Sequence, residues 1–228
     1  EQKATWLQIR QNKPDYVFLW GWGVMNSTSL KEAQATGYPR EKMYGIWWAG
    51  AEPDVKDVGD GAKGYNALAM QHGAEQGSKV VKEVLEKVHA KGQGTGPKEE
   101  VGQVLYMRGL ISAMLSVEGV RAAQARFGKG KRITGEQMRW GLENINLDQK
   151  TLDAMGFGGV MRPVQTSCLD HMGSAWARLH TWDGKKWNFS SDWYQGDEKV
   201  LRPLVISTAG KYADEKKIVR RTADDCKK

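Results

Sequence analysis

The stretch Asp15-Tyr-Val-Phe-Leu-Trp-Gly-Trp-Gly23 decides how this chain is read. Tyr16-Val-Phe-Leu-Trp20 is a continuous apolar run, as expected of a buried parallel strand, and Gly21-Trp-Gly23 ends it. Asn26-Ser-Thr28 then offers caps for a helix running to Thr36, where Gly37 stops it. A second apolar run, Tyr44-Gly-Ile-Trp-Trp48, closes on Ala49-Gly50. A short helix over 53–58 follows, then a third strand over 64–70. Strand and helix therefore alternate through residues 16–70, which predicts an α/β fold built on a parallel sheet with crossover helices.

The flanks extend this pattern. Residues 4–11 read as the end of a helix that Pro14-Asp15 breaks. Residues 78–90 form an amphipathic helix with Val80, Val81, Val84, Leu85 and Val88 as its stripe. A Gly/Lys/Pro loop over 91–98 leads to a long helix over 101–127. Thr134-Gly-Glu-Gln137 has the capping-box form and opens a helix to about Asn144, and 148–155 is another short helix. After Gly156 the texture changes to short strands over 160–168, 175–182 and 186–189, with Asp183-Gly184 as a hairpin turn. The remaining tail is polar and charged.

Composition narrows the function classes. The 228 residues are 40% hydrophobic with 27 glycines, ordinary for a globular domain. No apolar run reaches the ~18 residues that a membrane helix needs, and Glu1 to Arg10 lacks the apolar core of a signal peptide. On residues alone the protein is either cytosolic or exported with its signal removed. The net charge of +7 comes from 34 basic and 27 acidic residues, scattered rather than concentrated on one stretch, which argues against nucleic acid as a partner. There is no phosphate loop, nucleophile elbow or histidine metalloprotease motif, so neither a cofactor nor a catalytic residue is expected. Cys168, Asp170 and His171 match no zinc spacing, and His72, His89 and His180 stand isolated in sequence.

Ten tryptophans are the compositional oddity. In open parallel sheets, ligands sit at the carboxyl ends of strands. Here those ends read Trp20-Gly-Trp-Gly23 and Trp47-Trp-Ala-Gly50, aromatic plates beside glycines where backbone can approach a ligand. Trp20 and Trp47, inside their strands, read as core, whereas Trp22 and Trp48 read as ligand walls. The helix start at Gly23, Asn26 and Ser27 favours an anionic group such as a carboxylate. Arg108, near the start of the long helix, is a weaker carboxylate partner, with a solvated surface arginine as the alternative. Cys168 and Cys226 admit one pairing. In an oxidising compartment it would tie the tail to the body, and otherwise both remain thiols.

The run Lys13-Pro-Asp-Tyr-Val-Phe-Leu-Trp-Gly21, then Leu30-Lys-Glu-Ala-Gln34 and Gly59-Asp-Gly-Ala-Lys-Gly64, resembles the substrate-binding proteins of branched-chain amino-acid-type ABC transporters. Gln165-Thr-Ser-Cys-Leu-Asp-His-Met-Gly173 and Thr181-Trp-Asp-Gly184 look like one branch of that family. The resemblance implies a type I periplasmic binding protein: two α/β lobes closing on a small ligand, delivery to a membrane permease, no enzymatic chemistry, and a periplasmic location. It further implies that the family's opening half precedes the segment matching Glu1. Residues 1–100 then fall in the second lobe, 101–180 in the first, and 181–228 form a return segment and tail, with a second chain or dimer completing the fold. Amino-acid-binding members place an acidic residue after the strand matching 44–48. Here that place reads Trp47-Trp48 and the nearest carboxylate is Glu52, so an aromatic or apolar carboxylic acid suits the site better than a branched-chain amino acid. The alternatives are a ligand-sensing receptor domain of the same fold and, below it, an enzyme on a doubly wound sheet.

Overall fold

A computed structural model describes residues 2–173 and 175–227; Glu1, Ser174 and Lys228, which fall within the expected segments 1–100, 101–180 and 181–228, lie outside the described residues. Packing divides the chain into two compact units. One comprises residues 1–110, 153–162 and 177–194, the other 111–152, 163–176 and 195–228.

The first unit is a sheet whose first three helices pack on one face. Helix α1 (Lys3–Asn12) ends where Lys13 turns left-handed at φ 49°, and strand β1 (Val17–Leu19) follows. Helix α2 (Val24–Ala35), strand β2 (Met43–Ile46), helix α3 (Glu52–Lys56) and strand β3 (Asn66–Ala69) continue the alternation. Strands β1, β2 and β3 are parallel, in the register Val17–Met43 and Tyr44–Asn66. Antiparallel strands β6 (Trp176–Trp182) and β7 (Trp187–Phe189) extend the order to β1-β2-β3-β6-β7, and strand β8 (Tyr194–Gln195) also pairs with β6. The 183–184 turn joins them as the sequence predicts: Asp183 Oδ1 accepts the Lys185 and Lys186 amides at 2.8 and 2.9 Å.

Side-chain alternation along each strand decides which face is core. Met43 and Ala67 point into a cluster with Trp6 of α1, Leu30 and Ala33 of α2, and Val55 of α3, and Val17 and Leu19 pack against it. On the opposite face Tyr16 and Phe18 of the β1 edge are exposed, Phe18 at 72%, with the Tyr44 ring 6.0 Å from Phe18. Among the described residues strand β1 thus has a free edge and one bare face, unlike the doubly covered strand its apolar run predicts. Helix α4 (Lys79–Lys87) buries only Val80 and Val81 of its stripe.

The second unit holds most of helix α5 (Val104–Phe127), then helix α6 (Gly135–Leu142), whose capping box forms as read: the Gln137 amide donates to Thr134 Oγ1 at 3.3 Å, and Thr134 N–H donates to Gln137 Oε1 at 3.0 Å. Strands β4 (Asn146–Leu147) and β5 (Val164–Gln165) pair antiparallel, so the run over 160–168 yields only two strand residues. Helix α7 (Gln149–Met155) leaves this unit at Asp153. After strand β8 (Tyr194–Gln195), the tail forms an 18-residue helix, α8 (Glu198–Glu215), capped by Asp197 and carrying Pro203. The sequence reading missed this helix because its apolar residues, Val200, Leu201, Leu204, Val205 and Ile206, cluster without a clean stripe; all are exposed. Among the described residues no helix is long and apolar enough to cross a membrane.

Candidate functional site

The loop after β2 is the best-defined feature at the carboxyl end of the sheet. Trp47 takes a left-handed backbone, φ 52°, a region that costs an L-residue about 1–2 kcal/mol. Side chains from three separate parts of the first unit grip the loop. Arg108 Nη2 donates to the Trp47 carbonyl at 2.6 Å, Asn26 Nδ2 to the Trp48 carbonyl at 2.9 Å, and Tyr65 Oη to the Ala49 carbonyl at 2.7 Å. The loop folds so close over β2 that a Cβ at Gly45 would collide with the Ala49 carbonyl and the Tyr65 hydroxyl. A Cβ at Gly50 would stand 2.6 Å from that of Ala67.

A buried charge cluster lies behind the loop. Asn26 Nδ2 also donates to Asp54 Oδ1 at 2.8 Å, and Asp54 Oδ2 accepts the Ala51 amide at 2.9 Å. Burial pushes the Asp54 carboxyl up from its ordinary value, against the pull of Asn26, the Ala51 amide and Arg108. Burial likewise raises the Glu52 carboxyl, which accepts the Val104 amide at the head of α5 at 3.1 Å. Burial lowers the Arg108 guanidinium, which Asp54 and Glu52 oppose. The Arg108 guanidinium sits 4.5 Å from the Trp47 ring centre and 5.4 Å from that of Trp48, close enough for cation–π attraction.

The residues singled out in the sequence separate into two groups. Trp22 and Trp48 are exposed at 65% and 43%, each just beyond the carboxyl end of a strand. Gly23 adopts φ 55° and serves as the N-cap of α2. The helix therefore opens at Val24, two residues before the caps read from sequence, and Asn26 and Ser27 lie inside its first turn. Asn26 is fully buried and braces the 48–54 segment. The Ser27 hydroxyl bonds back to the Val24 carbonyl at 3.4 Å. Arg108 is neither solvated nor open to the surface: it is 7% exposed and turned onto the loop.

Two further expectations need correction. Trp20 lies past the end of β1 at 80% exposure, so it is not core, and Trp47 lies outside β2 and is half-buried. His72 and His180 are isolated only in sequence. They pack with ring centres 4.9 Å apart, and His180 stacks on Trp187 at 4.1 Å. Sequence reasoning also missed Asp54 and Tyr65. Asp54 sits at the third position of α3 and was discoverable as a capping carboxylate. Tyr65 carried no local signal.

In the second unit Cys168 and Cys226 are disulfide-bonded. The nearby carboxylate of Glu143, 7% exposed, pairs with Arg221 and with His171 Nε2 at 3.3 Å, and Asp170 pairs with Arg202 at 2.8 Å. Glu143 thus meets a cation from the 216–227 tail.

The family model described as periplasmic binding protein matches residues 1–186. The chain is similar to the crystal structure of an ABC transporter permease from the Pseudomonas fluorescens group, with 39% identity and a TM-score of 0.88 over 98% of this chain and 54% of that one. It shares its fold with a branched-chain amino acid ABC transporter from Thermus thermophilus with bound valine, at 21% identity, a TM-score of 0.70, and coverage of 89% of this chain and 52% of that one. A solute-binding protein of an ABC transporter from R. palustris, in complex with benzoate, matches at 15% identity and a TM-score of 0.58, covering 86% and 49%. The chain thus spans about half the length of these structures. No curated protein matches it.

Proposed function

This chain belongs to the periplasmic binding protein family, and on that premise we propose that it is part of the solute-binding component of an ABC importer. The component captures a small organic acid between two lobes and passes it to a membrane permease, and it acts in the periplasm as a binder rather than an enzyme. The observation that carries the reading is the pair of exposed indoles, Trp22 and Trp48, beyond the carboxyl ends of neighbouring parallel strands. Closure follows from contacts that the ligand makes better in the closed state than in the open one.

The chemistry of this end of the sheet favours an aromatic or apolar carboxylate over a branched-chain amino acid. Two indoles offer flat apolar walls. The start of α2 at Gly23 offers partial positive charge to an anionic end. Of the two carboxylates near the loop, Asp54 is buried and Glu52 is engaged with the Val104 amide, so neither stands free to take an ammonium group. Asn26 and Arg108 contribute from behind the wall, and Ser27 and Gly23 line the helix start.

On this reading residues 1–100 belong to the second lobe, 101–180 to the first, and 181–228 form the return segment and tail. The packing units run across these bounds, since 153–162 and 177–194 pack with the 1–110 unit. A further part of the fold, on the same chain or on a second one, completes it on this reading. Helices α1 and α2 share one face of the sheet.

Titration calorimetry of the two-lobed protein with benzoate and with valine tests the ligand class. Benzoate binding that is lost in Trp22→Ala and Trp48→Ala is the expected result. Binding of valine alone overturns the proposed ligand chemistry, and binding that survives both substitutions overturns the site.

A further inference from the structure

The first unit spends three buried or largely buried side-chain donors on three consecutive carbonyls of one loop. Arg108 takes Trp47, Asn26 takes Trp48 and Tyr65 takes Ala49. Their relative exposures are 7%, 0% and 0%. The donors come from different places in the chain: the first turns of α5, the first turn of α2, and the residue before β3. With Ala49 buried and Trp47 half-buried, these carbonyls need protein partners, and here all three partners are side chains rather than backbone amides. Here the loop also carries a tryptophan in a left-handed backbone, which relaxes unless its surroundings over-determine it.

We propose that Tyr65, Asn26 and Arg108 form a three-point clamp that fixes the 47–49 backbone and so sets where the Trp48 indole stands, which makes them positioning residues of the ligand wall. The proposal deepens the reading of Trp48 as a wall and rests on it. Tyr65 is the member that no sequence pattern marks. Its hydroxyl reaches Ala49 only because Gly45 leaves the space between them open. Asn26 couples the clamp to Asp54, so the same carboxamide ties the loop to α3. Arg108 both holds the Trp47 carbonyl and lies against the Trp47 and Trp48 rings. The Trp47 and Trp48 rings meet edge to face, 5.7 Å apart and inclined at 80°, so the two indoles pack against each other beside the clamped backbone. The clamp pre-organises the wall, and ligand selection then needs no folding of the loop on binding.

The test uses the chain labelled with 5-fluorotryptophan and read by fluorine resonance, with the Trp48 signal assigned through Trp48→Phe. Tyr65→Phe removes one hydroxyl and leaves the ring. The expected result is a shifted or exchange-broadened Trp48 resonance, with that of Trp140, in the second unit, unmoved. A purely structural role for Tyr65 predicts lower thermal stability with an unchanged Trp48 signal, and that outcome overturns the clamp. This arm needs no ligand. A second arm titrates benzoate into the two-lobed protein, where Tyr65→Phe is expected to weaken binding about tenfold. A moved Trp48 signal in a protein that binds no benzoate keeps the clamp and overturns the wall. An unmoved signal with benzoate affinity intact overturns the clamp and keeps the wall.

Discussion

Acidification tests the buried histidine pair through the variant His72→Phe. His72 is 8% exposed, its Nδ1–H donates to the Gly73 carbonyl at 2.9 Å, and its ring lies 4.0 Å from Phe189. Burial lowers its pKa to about 4, the Gly73 carbonyl opposing and Arg178 reinforcing the shift. His180, fully buried against Trp187, is pulled down by its burial and then by His72, Arg108 and Arg178. A histidine whose folded pKa lies below its unfolded value near 6.5 stabilises the fold fully above that value. The contribution is lost as pH falls towards the folded pKa, because the unfolded chain takes up the proton first. For His72 that window runs from about 6.5 down to about 4, and linkage gives a loss of about 2 kcal/mol between pH 7 and pH 5. The aspartates held low by their hydrogen bonds, such as Asp170 and Asp183, lose their contribution only below this window. Glu52 and Asp54, raised by burial, act with the opposite sign, but they remain in both proteins and cancel in the comparison. Urea unfolding followed by tryptophan fluorescence at pH 7, 6 and 5 measures the effect. His72→Phe keeps a ring against Phe189 and loses the bond to Gly73, so it is expected to cost about 1 kcal/mol at pH 7. Its stability then falls less steeply on acidification, by about 2 kcal/mol over the range. Equal pH slopes for variant and wild type refute the argument.

Two further outcomes follow from geometry. Gly45→Ala drives a methyl group into the Ala49 carbonyl and the Tyr65 hydroxyl, both fixed by their mutual hydrogen bond, and is expected to cost about 3 kcal/mol in urea unfolding; a loss below 1 kcal/mol means that the loop yields freely. Reduction of Cys168–Cys226 frees the tail that carries Arg221 and is expected to cost the second unit about 2–4 kcal/mol, and coincident denaturation curves with and without reductant contradict this.

The parts of the fold legible in sequence are those set by local backbone physics. Alternating apolar runs and glycine stops located β1, β2, β3 and the helices between them, and the Thr134 capping box and the 183–184 turn formed where their residues stand. Each depends on a span of a few residues, and side-chain chemistry there acts on its own backbone. The placement of Trp22 and Trp48 just beyond two strand ends was also within reach, because it is a local feature of the sequence.

What the sequence determined by itself is therefore the α/β class, the order of the first unit's elements and the family resemblance. The tertiary structure alone decided which polar groups face one another. Asn26 read as a helix cap and became a brace, because the helix started at Gly23 and carried the carboxamide inward to Trp48 and Asp54. Arg108 read as a solvent-facing or ligand-facing cation and became a buried donor, because α5 packs its first turns against a loop some 60 residues away in sequence. Tyr65 gave no signal at all, since its partner is a backbone carbonyl 16 residues upstream that any residue would carry. Strand β6 joined β3 across more than 100 residues, and nothing local to either strand specifies that neighbour. Periodicity fixes how a segment folds on itself. Only the closing of long loops brings the Trp47–Ala49 carbonyls to the three side chains that hold them.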